Sequence, residues 1–306
     1  MGFVDMGVFW DWLSIYQKDP RLWTPACMKA GNELTPSEAE EKHKYESSRT
    51  EEEVVGFRYA LHETMDLWYA HQGTTVYMLT ELPEGSKRKV KYVDSGWTTY
   101  ERCSAEQIKK VHLWRASWKL VLDLGVKDAA NARNWPIGPD DFDVMIESKI
   151  FTNGADQQAV KALFRKMSVN QLGGIKELDF TGIAAPTTED GQRLGGCLNL
   201  CKNLKKLDLS SVGMDDTVCQ AMFSTLSRGA LDKLQMLYLD SNQIGDSGLS
   251  ALATVLTPGP SGKGALDNLK ASWCPTPLSA CLQTWHVHSP DSEHLFGVPY
   301  AGDCSL

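Results

Sequence analysis

Six residues able to ligate a transition metal fall near the C-terminus: Cys274, Cys281, His286, His288, His294 and Cys304. A zinc site would need its ligands two to five residues apart in paired knuckles. Cys274-x6-Cys281 and His286-x-His288 lack that spacing, so no metal site is expected. Cys197-x3-Cys201 sets two thiols one helical turn apart, and two buried small side chains account for that spacing. Gly173-Gly174 and Gly195-Gly196 are not followed by Lys-Ser/Thr, so neither is a phosphate loop. Asp11 ends an apolar run, where a carboxylate acts as ligand or base, or caps a loop. Glu101 follows Trp97 by four residues at the start of an amphipathic stretch. A carboxylate near a helix N-terminus is favoured there by about 0.3–1 kcal/mol.

These residues need elements to hold them. Val8-Phe9-Trp10 reads as a buried strand. Pro25, Pro36 and Glu51-Glu52-Glu53 mark a polar loop and then a helix start. Val54, Phe57, Leu61, Met65, Trp68 and Tyr69 follow the three-four rhythm of an amphipathic helix. Thr74–Leu79 is rich in β-branched and aromatic residues and predicts a strand. A second helix is predicted from Gly96-Trp97 through Glu101, Ile108, Val111, Trp114, Trp118 and Leu122. Strand, helix, strand, helix implies an α/β unit with parallel strands. Residues 128–150 read as a linker followed by a short helix, and another helix is expected over 155–167.

The strongest pattern is a repeat. Leu204-x-x-Leu207-x-Leu209 recurs as Leu234-x-x-Leu237-x-Leu239 and continues to Asn242-x-Ile244. Ile175-x-x-Leu178-x-Phe180 precedes them, and a degraded copy follows at Leu266-x-x-Leu269-x-Ala271. The spacings are 29, 30 and 32 residues, a period that signifies a solenoid. Each unit predicts a strand with inward leucines and then a helix, with Val218, Ala221, Met222 and Leu226 inward in one, Leu249, Leu252, Val255 and Leu256 in the next. Asn242 is expected at the turn, bonding backbone groups of adjacent turns. Ile183 and Val212 take its place in the earlier units. Helices before residue 172 would cap the open end of the stack.

These repeats resemble the ribonuclease-inhibitor type of leucine-rich repeat over residues 173–274. The resemblance implies a protein partner bound on the concave strand face through residues between the leucines: Lys205, Lys206 and Asp208 in one strand, Gln235, Met236, Tyr238 and Asp240 in the next. Aromatics and Met are enriched at interface cores. Some helix-backed proteins of this kind supply an arginine to small GTPases; Arg165 and Arg193 are the residues available for that alternative.

Phe9-Trp10-Asp11-Trp12-Leu13-Ser14-Ile15-Tyr16-Gln17 resembles a heterokaryon-incompatibility motif, matching at Asp11, Leu13, Ile15 and Gln17. Gly96-Trp97-Thr98-Thr99-Tyr100-Glu101 is similar to the W-C-x-x-E signature that this group shares with TIR domains. Ser14, Tyr16 and Thr98 depart from the pattern. The resemblance implies an NAD-cleaving alternative in which Glu101 holds the ribose hydroxyls and stabilises developing positive charge. TIR domains open with a further strand and a Gly/Ser loop. The seven residues before Val8 are too few for both, so the α/β domain is expected to be incomplete.

The formal charge of −8 and the lack of any basic run longer than Lys87–Lys91 argue against nucleic acid. No apolar run approaches the roughly 20 residues that span a bilayer. No signal peptide is visible, and the eight cysteines are scattered without Cys-x-x-Cys, as in a reduced, cytoplasmic protein. The expectation is an incomplete TIR-like parallel α/β domain over 1–125, a linker with capping helices over 126–172, a leucine-rich solenoid over 173–274 and a cap or tail over 275–306. The leading function is a non-catalytic, partner-binding one that needs no cofactor.

Overall fold

Leu178, Leu207 and Leu237 stand in register on three neighbouring parallel strands, and all three are buried. They are found in a computed structural model that describes residues 18–29, 33–82, 84–86, 90–112, 119–126, 133–151, 154, 156–227, 229–256 and 270–272. The segment read as a strand at Val8–Trp10, Asp11, Trp114, Trp118 and the Cys/His residues from Cys274 onward lie outside the described residues.

The chain forms two units, Met1–Trp68 with Thr152–Gly154, and Tyr69–Phe151 with Ala155–Leu306. In the first, helix α1 spans Pro36–Glu46 and α2 spans Glu51–Tyr59. Both start at a threonine that accepts from the backbone of a glutamate three residues on, Thr35 with Glu38 and Thr50 with Glu53, while each glutamate accepts in return. Such a reciprocal cap satisfies two backbone donors that the first turn leaves open. Arg49 lies 3.7 Å over the ring of Phe57. The helix predicted from Val54 passes through a π-turn at Ala60–Thr64 and continues as α3, Met65–Ala70.

The second unit opens with strand β1, Val76–Met78, shorter than the predicted Thr74–Leu79. Helix α4, Gly96–Glu106, follows, then β2, Val121–Asp123, parallel to β1 with Val76 opposite Val121. The two strands are parallel, but the strand-helix-strand unit is not the one expected: the helix predicted to run to Leu122 ends at Glu106, and its predicted last turn is the strand β2. Gln107 and Lys109 turn inward to bond carbonyls outside any helix: Gln107 Nε2 donates to Ile137 O at 2.7 Å, and Lys109 Nζ to Thr74 O at 2.8 Å. Val121, the first residue of β2, and Leu120 just before it are then fully buried. The helical spacing of Ile108 and Val111 has another cause: both join the core of the repeats.

Helix α5 spans Pro139–Glu147 and α6 spans Asp156–Gly174. Phe164 of α6 stacks on Phe142 of α5 at 3.8 Å between centroids and meets Tyr100 of α4 edge-on at 6.4 Å. From there the repeats begin. Strands β3 (Glu177–Asp179), β4 (Lys206–Asp208), β5 (Met236–Tyr238) and β6 (Lys270–Ser272) form one parallel sheet in that order. Helices α7 (Thr188–Leu198), α8 (Asp216–Ser224) and α9 (Asp246–Leu256) connect them.

Three devices repeat with the sequence period. The leucines point inward and build one continuous core. Gly182, Ser211 and Ser241, two residues after the last apolar position of each strand motif, share a left-handed backbone with φ of 82°, 55° and 57°. Helices α7 and α8 start at Thr187 and Asp215, whose side chains accept from Asp190 N and Val218 N. At the open end of the stack, Trp135 stacks on Phe180 at 5.3 Å, donates Nε1 to Ala184 O, and joins Leu172, Ile108 and Val111 in closing the core. Burying that end removes apolar surface that a strand stack otherwise exposes.

Candidate functional site

Side chains alternate across a strand, so residues flanking an inward leucine face the other side of the sheet. In β4 and β5 the alternation is strict: Leu207 and Leu237 are buried, while Lys206, Asp208, Met236 and Tyr238 are half-exposed. Register sets Lys206 beside Met236 and Asp208 beside Tyr238. Lys206 Nζ lies 5.0 Å over the Tyr238 ring, and the Tyr238 hydroxyl approaches Met236 Sδ at 3.6 Å. A cation over an aromatic face is worth roughly 0.5–1 kcal/mol at an exposed site. Three of the predicted contact residues thus form one cluster with an apolar ring at its centre.

The other predicted contact residues frame it. Lys205 and Gln235 are exposed at the strand starts; Lys205 N donates to Lys176 O and Gln235 N to Lys205 O, both at 2.8 Å. Asp208 accepts from Ser210 N at 3.1 Å, and Ser210 Oγ donates to Asp240 Oδ2 at 3.4 Å. All seven predicted partner-binding residues therefore lie on one sheet face or its edges. Asp179 and Asp208 stand side by side in register. Lys110 pairs with Asp179 at 3.4 Å, which offsets part of that like-charge contact.

The residues that clamp successive repeats carry no repeat signature, except for Asn242. Asn203 Nδ2 donates to Gly173 O at 2.7 Å, and its Oδ1 accepts from Lys233 Nζ at 2.7 Å. Asn199 donates to Thr225 O and accepts from Ser227 N. Asp216 accepts from Gly245 N, Gly248 N and Ser247 Oγ, and so caps the helix of the following repeat. Those bonds hold its carboxyl below the usual carboxylate range. They keep the sheet face rigid, and only their polar side-chain types hinted at them.

A second feature lies at the carboxyl ends of β1 and β2, where parallel sheets commonly bind ligands. A cavity of about 520 Å³ opens there, lined among others by Thr80, Lys91, Tyr92, Arg102, Asp123 and Asn134. Thr80 Oγ1 donates to Asp123 Oδ2 at 2.7 Å, tying the two strand ends together. Gly125 lies so close to the backbone nitrogens of Thr80 and Glu81 that a Cβ would stand 2.6 and 2.5 Å from them. Beneath, Glu106 is almost fully buried, accepts from Asn134 Nδ2 at 2.6 Å, and is pushed up to about 7 by burial.

Glu101 is half-buried in the second turn of α4, whose first turn holds no acidic residue. The reading of Glu101 as a carboxylate that complements the helix N-terminus is therefore corrected, because the dipole effect fades within one turn. The α4 side chain lining the cavity is Arg102, the next residue. Trp97 packs edge-on to Tyr100 at 6.3 Å and donates Nε1 to Asp156 Oδ2 at 3.0 Å. Arg165 is held by Asp140 and Asp143, both at 2.7 Å, and Arg193 by Glu189 at 2.6 Å. Cys197 and Cys201 are buried, and Cys201 Sγ donates to Cys197 O. Burial pushes the Cys201 thiol up to about 12. No helix among the described residues is long and apolar enough to cross a membrane.

The in-register parallel strands β3, β4 and β5, each followed by a helix, fit a repeat protein. The family model of the Leucine Rich repeat matches residues 233–253, which span β5, Asn242 and most of α9. The chain thus contains a leucine-rich repeat element. No curated protein and no solved structure matches it.

Proposed function

We propose that this is a cytoplasmic interaction protein whose repeats form a short leucine-rich solenoid. Its concave face binds a protein partner through Lys205, Lys206, Asp208, Gln235, Met236, Tyr238 and Asp240. The observation that carries this reading is the Lys206–Tyr238–Met236 cluster, a half-exposed aromatic and thioether set among charges on a clamped sheet. Rigid presentation lowers the entropy lost on binding, and tyrosine is enriched among residues that dominate interface energies. The test is affinity capture with the full chain and with Tyr238→Ser/Met236→Ser, both shown to unfold at similar temperatures. A partner retained by the first and lost by the second supports the reading. A partner retained equally by both defeats it.

A second reading starts from the cavity at the ends of β1 and β2, although its α4 lining residue is Arg102 and not Glu101. Its volume lies within the range of small-ligand sites, about 300–1,000 Å³. Under it the α/β part is a TIR-like domain and an NAD-cleaving enzyme, with Glu101 holding the ribose hydroxyls and the repeats as regulator. Nicotinamide release by the purified chain, abolished in Glu101→Ala, would establish it. Folded protein with no turnover leaves the binding function.

A further inference from the structure

The repeats are electrically polarised along the strand direction. All five lysines of residues 175–256 lie where strands begin or just before: Lys176, Lys202, Lys205, Lys206 and Lys233. Most carboxylates lie on the opposite side, with Asp208 and Asp240 at the strand exits and Asp190, Asp215 and Asp216 at the helix starts, while Glu177 and Asp232 are exposed on the lysine side. Sequence order alone does not make this an edge. The parallel sheet does, because it stacks equivalent positions of successive repeats about 4.8 Å apart.

Lys176 and Lys205 are such equivalents, linked by the bond from Lys205 N to Lys176 O. Lys176, Lys202, Lys205 and Lys233 are exposed. None of the five lysines forms an ion pair with a described carboxylate, although Glu177 stands opposite Lys206 in register. Lys176 and Lys205 are like charges on neighbouring strands, a contact that an anionic partner relieves. Beside this edge lie the Tyr238 ring and Met236.

We propose that the strand-entry edge of the repeat sheet docks an acidic segment of a partner protein. The segment runs across the strands with carboxylates against Lys176, Lys205 and Lys206 and an apolar side chain on Tyr238. This rests on the partner-binding reading above and specifies the partner's chemistry. A peptide fits better than a nucleic acid. The basic strip is only a few strands wide, and the acidic strand exits beside it repel a phosphate backbone that extends past the strip. Charge complementarity of this kind sets specificity and on-rate and weakens as salt screens it.

The test uses the full-length chain and a short fluorescein-labelled poly-glutamate peptide, read by fluorescence anisotropy. An oligouridylate of equal charge and a poly-lysine peptide serve as comparators. The expected result is saturable binding of poly-glutamate, weakened at least about tenfold in Lys176→Glu/Lys205→Glu and again on raising salt from about 50 to about 300 mM, with weaker binding of both comparators. Lys176→Gln/Lys205→Gln gives an intermediate loss and guards against a folding effect of charge reversal. Equal binding by wild type and both variants overturns the proposal, and so does an oligouridylate that binds as tightly as poly-glutamate. If poly-glutamate fails while capture of a partner still depends on Tyr238 and Met236, the acidic-segment proposal falls and the partner-binding reading stands.

Discussion

Asn242 reaches back one whole repeat to Leu209: its Nδ2 donates to Leu209 O at 2.7 Å while its Oδ1 accepts from Met214 N at 3.0 Å. The same Nδ2 also bonds Leu239 O at 3.0 Å. One side chain thus satisfies backbone groups of two adjacent turns, where Ile183 and Val212 can only pack. Removing it leaves partly buried backbone groups without partners, each costing about 1–3 kcal/mol. Asn242→Ala is expected to lower stability by about 2 kcal/mol in urea unfolding. A loss below about 0.5 kcal/mol would mean that the clamp is dispensable.

Gly195 and Gly196 are neighbours in α7 with opposite surroundings. A Cβ on Gly195 would stand 1.9 Å from Thr225 Oγ1 and 2.3 Å from Met222 O, whereas one on Gly196 meets nothing within 4 Å. Gly195→Ala is expected to destabilise by about 1–3 kcal/mol through overpacking against α8. Gly196→Ala should stabilise by about 0.5–1 kcal/mol through helix propensity. Thermal melts of the two variants that shift in the same direction would refute this assignment of faces.

Ser211 and Ser241 hold the left-handed conformation that Gly182 adopts in the first repeat. A left-handed residue other than glycine costs roughly 1–2 kcal/mol, and a β-branched one is worse still. Ser211→Val should therefore destabilise by about 1–2 kcal/mol, while Ser211→Gly stays within about 1 kcal/mol of wild type. Equal unfolding midpoints for the two variants would show that the turn relaxes.

Burial raises the Glu106 carboxyl from its ordinary 4.5 to about 7, against the pull of Arg102, Asn134 and Arg133. A raised carboxyl holds its proton more tightly in the folded chain. Its contribution to stability is complete below about 4.5 and is lost as pH rises through about 7. In Glu106→Gln this component vanishes, so the melting temperature of the variant relative to wild type should rise between pH 5 and pH 8. A difference that stays constant across that range would place the titration elsewhere.

Residues 1–125 expressed alone should aggregate or remain molten. They keep β1, α4 and β2 but lose α6, whose Phe164 covers Tyr100, and lose Trp135 and the rest of the core that buries Ile108 and Val111. The fragment also leaves a two-stranded sheet with open edges, which is marginal by itself. A sharp, cooperative thermal transition from this fragment would contradict the expectation.

The sequence by itself determined what depends on local period. It set the inward leucines, the strand-then-helix order of each repeat, the turn role of Asn242 and the strand followed by a helix at β1 and α4. These follow from alternation within a strand and from spacing along a helix, and both can be read without knowing the neighbours. Only the tertiary structure decided that Val121–Asp123 is a strand and not the end of a helix, because its partner Val76–Met78 lies far back in the chain. It also decided that Trp135 seals the repeat core, that Glu106 and Lys109 are buried, and that scattered lysines become one edge. Burial and juxtaposition arise from contacts between segments distant in sequence, which no local pattern encodes.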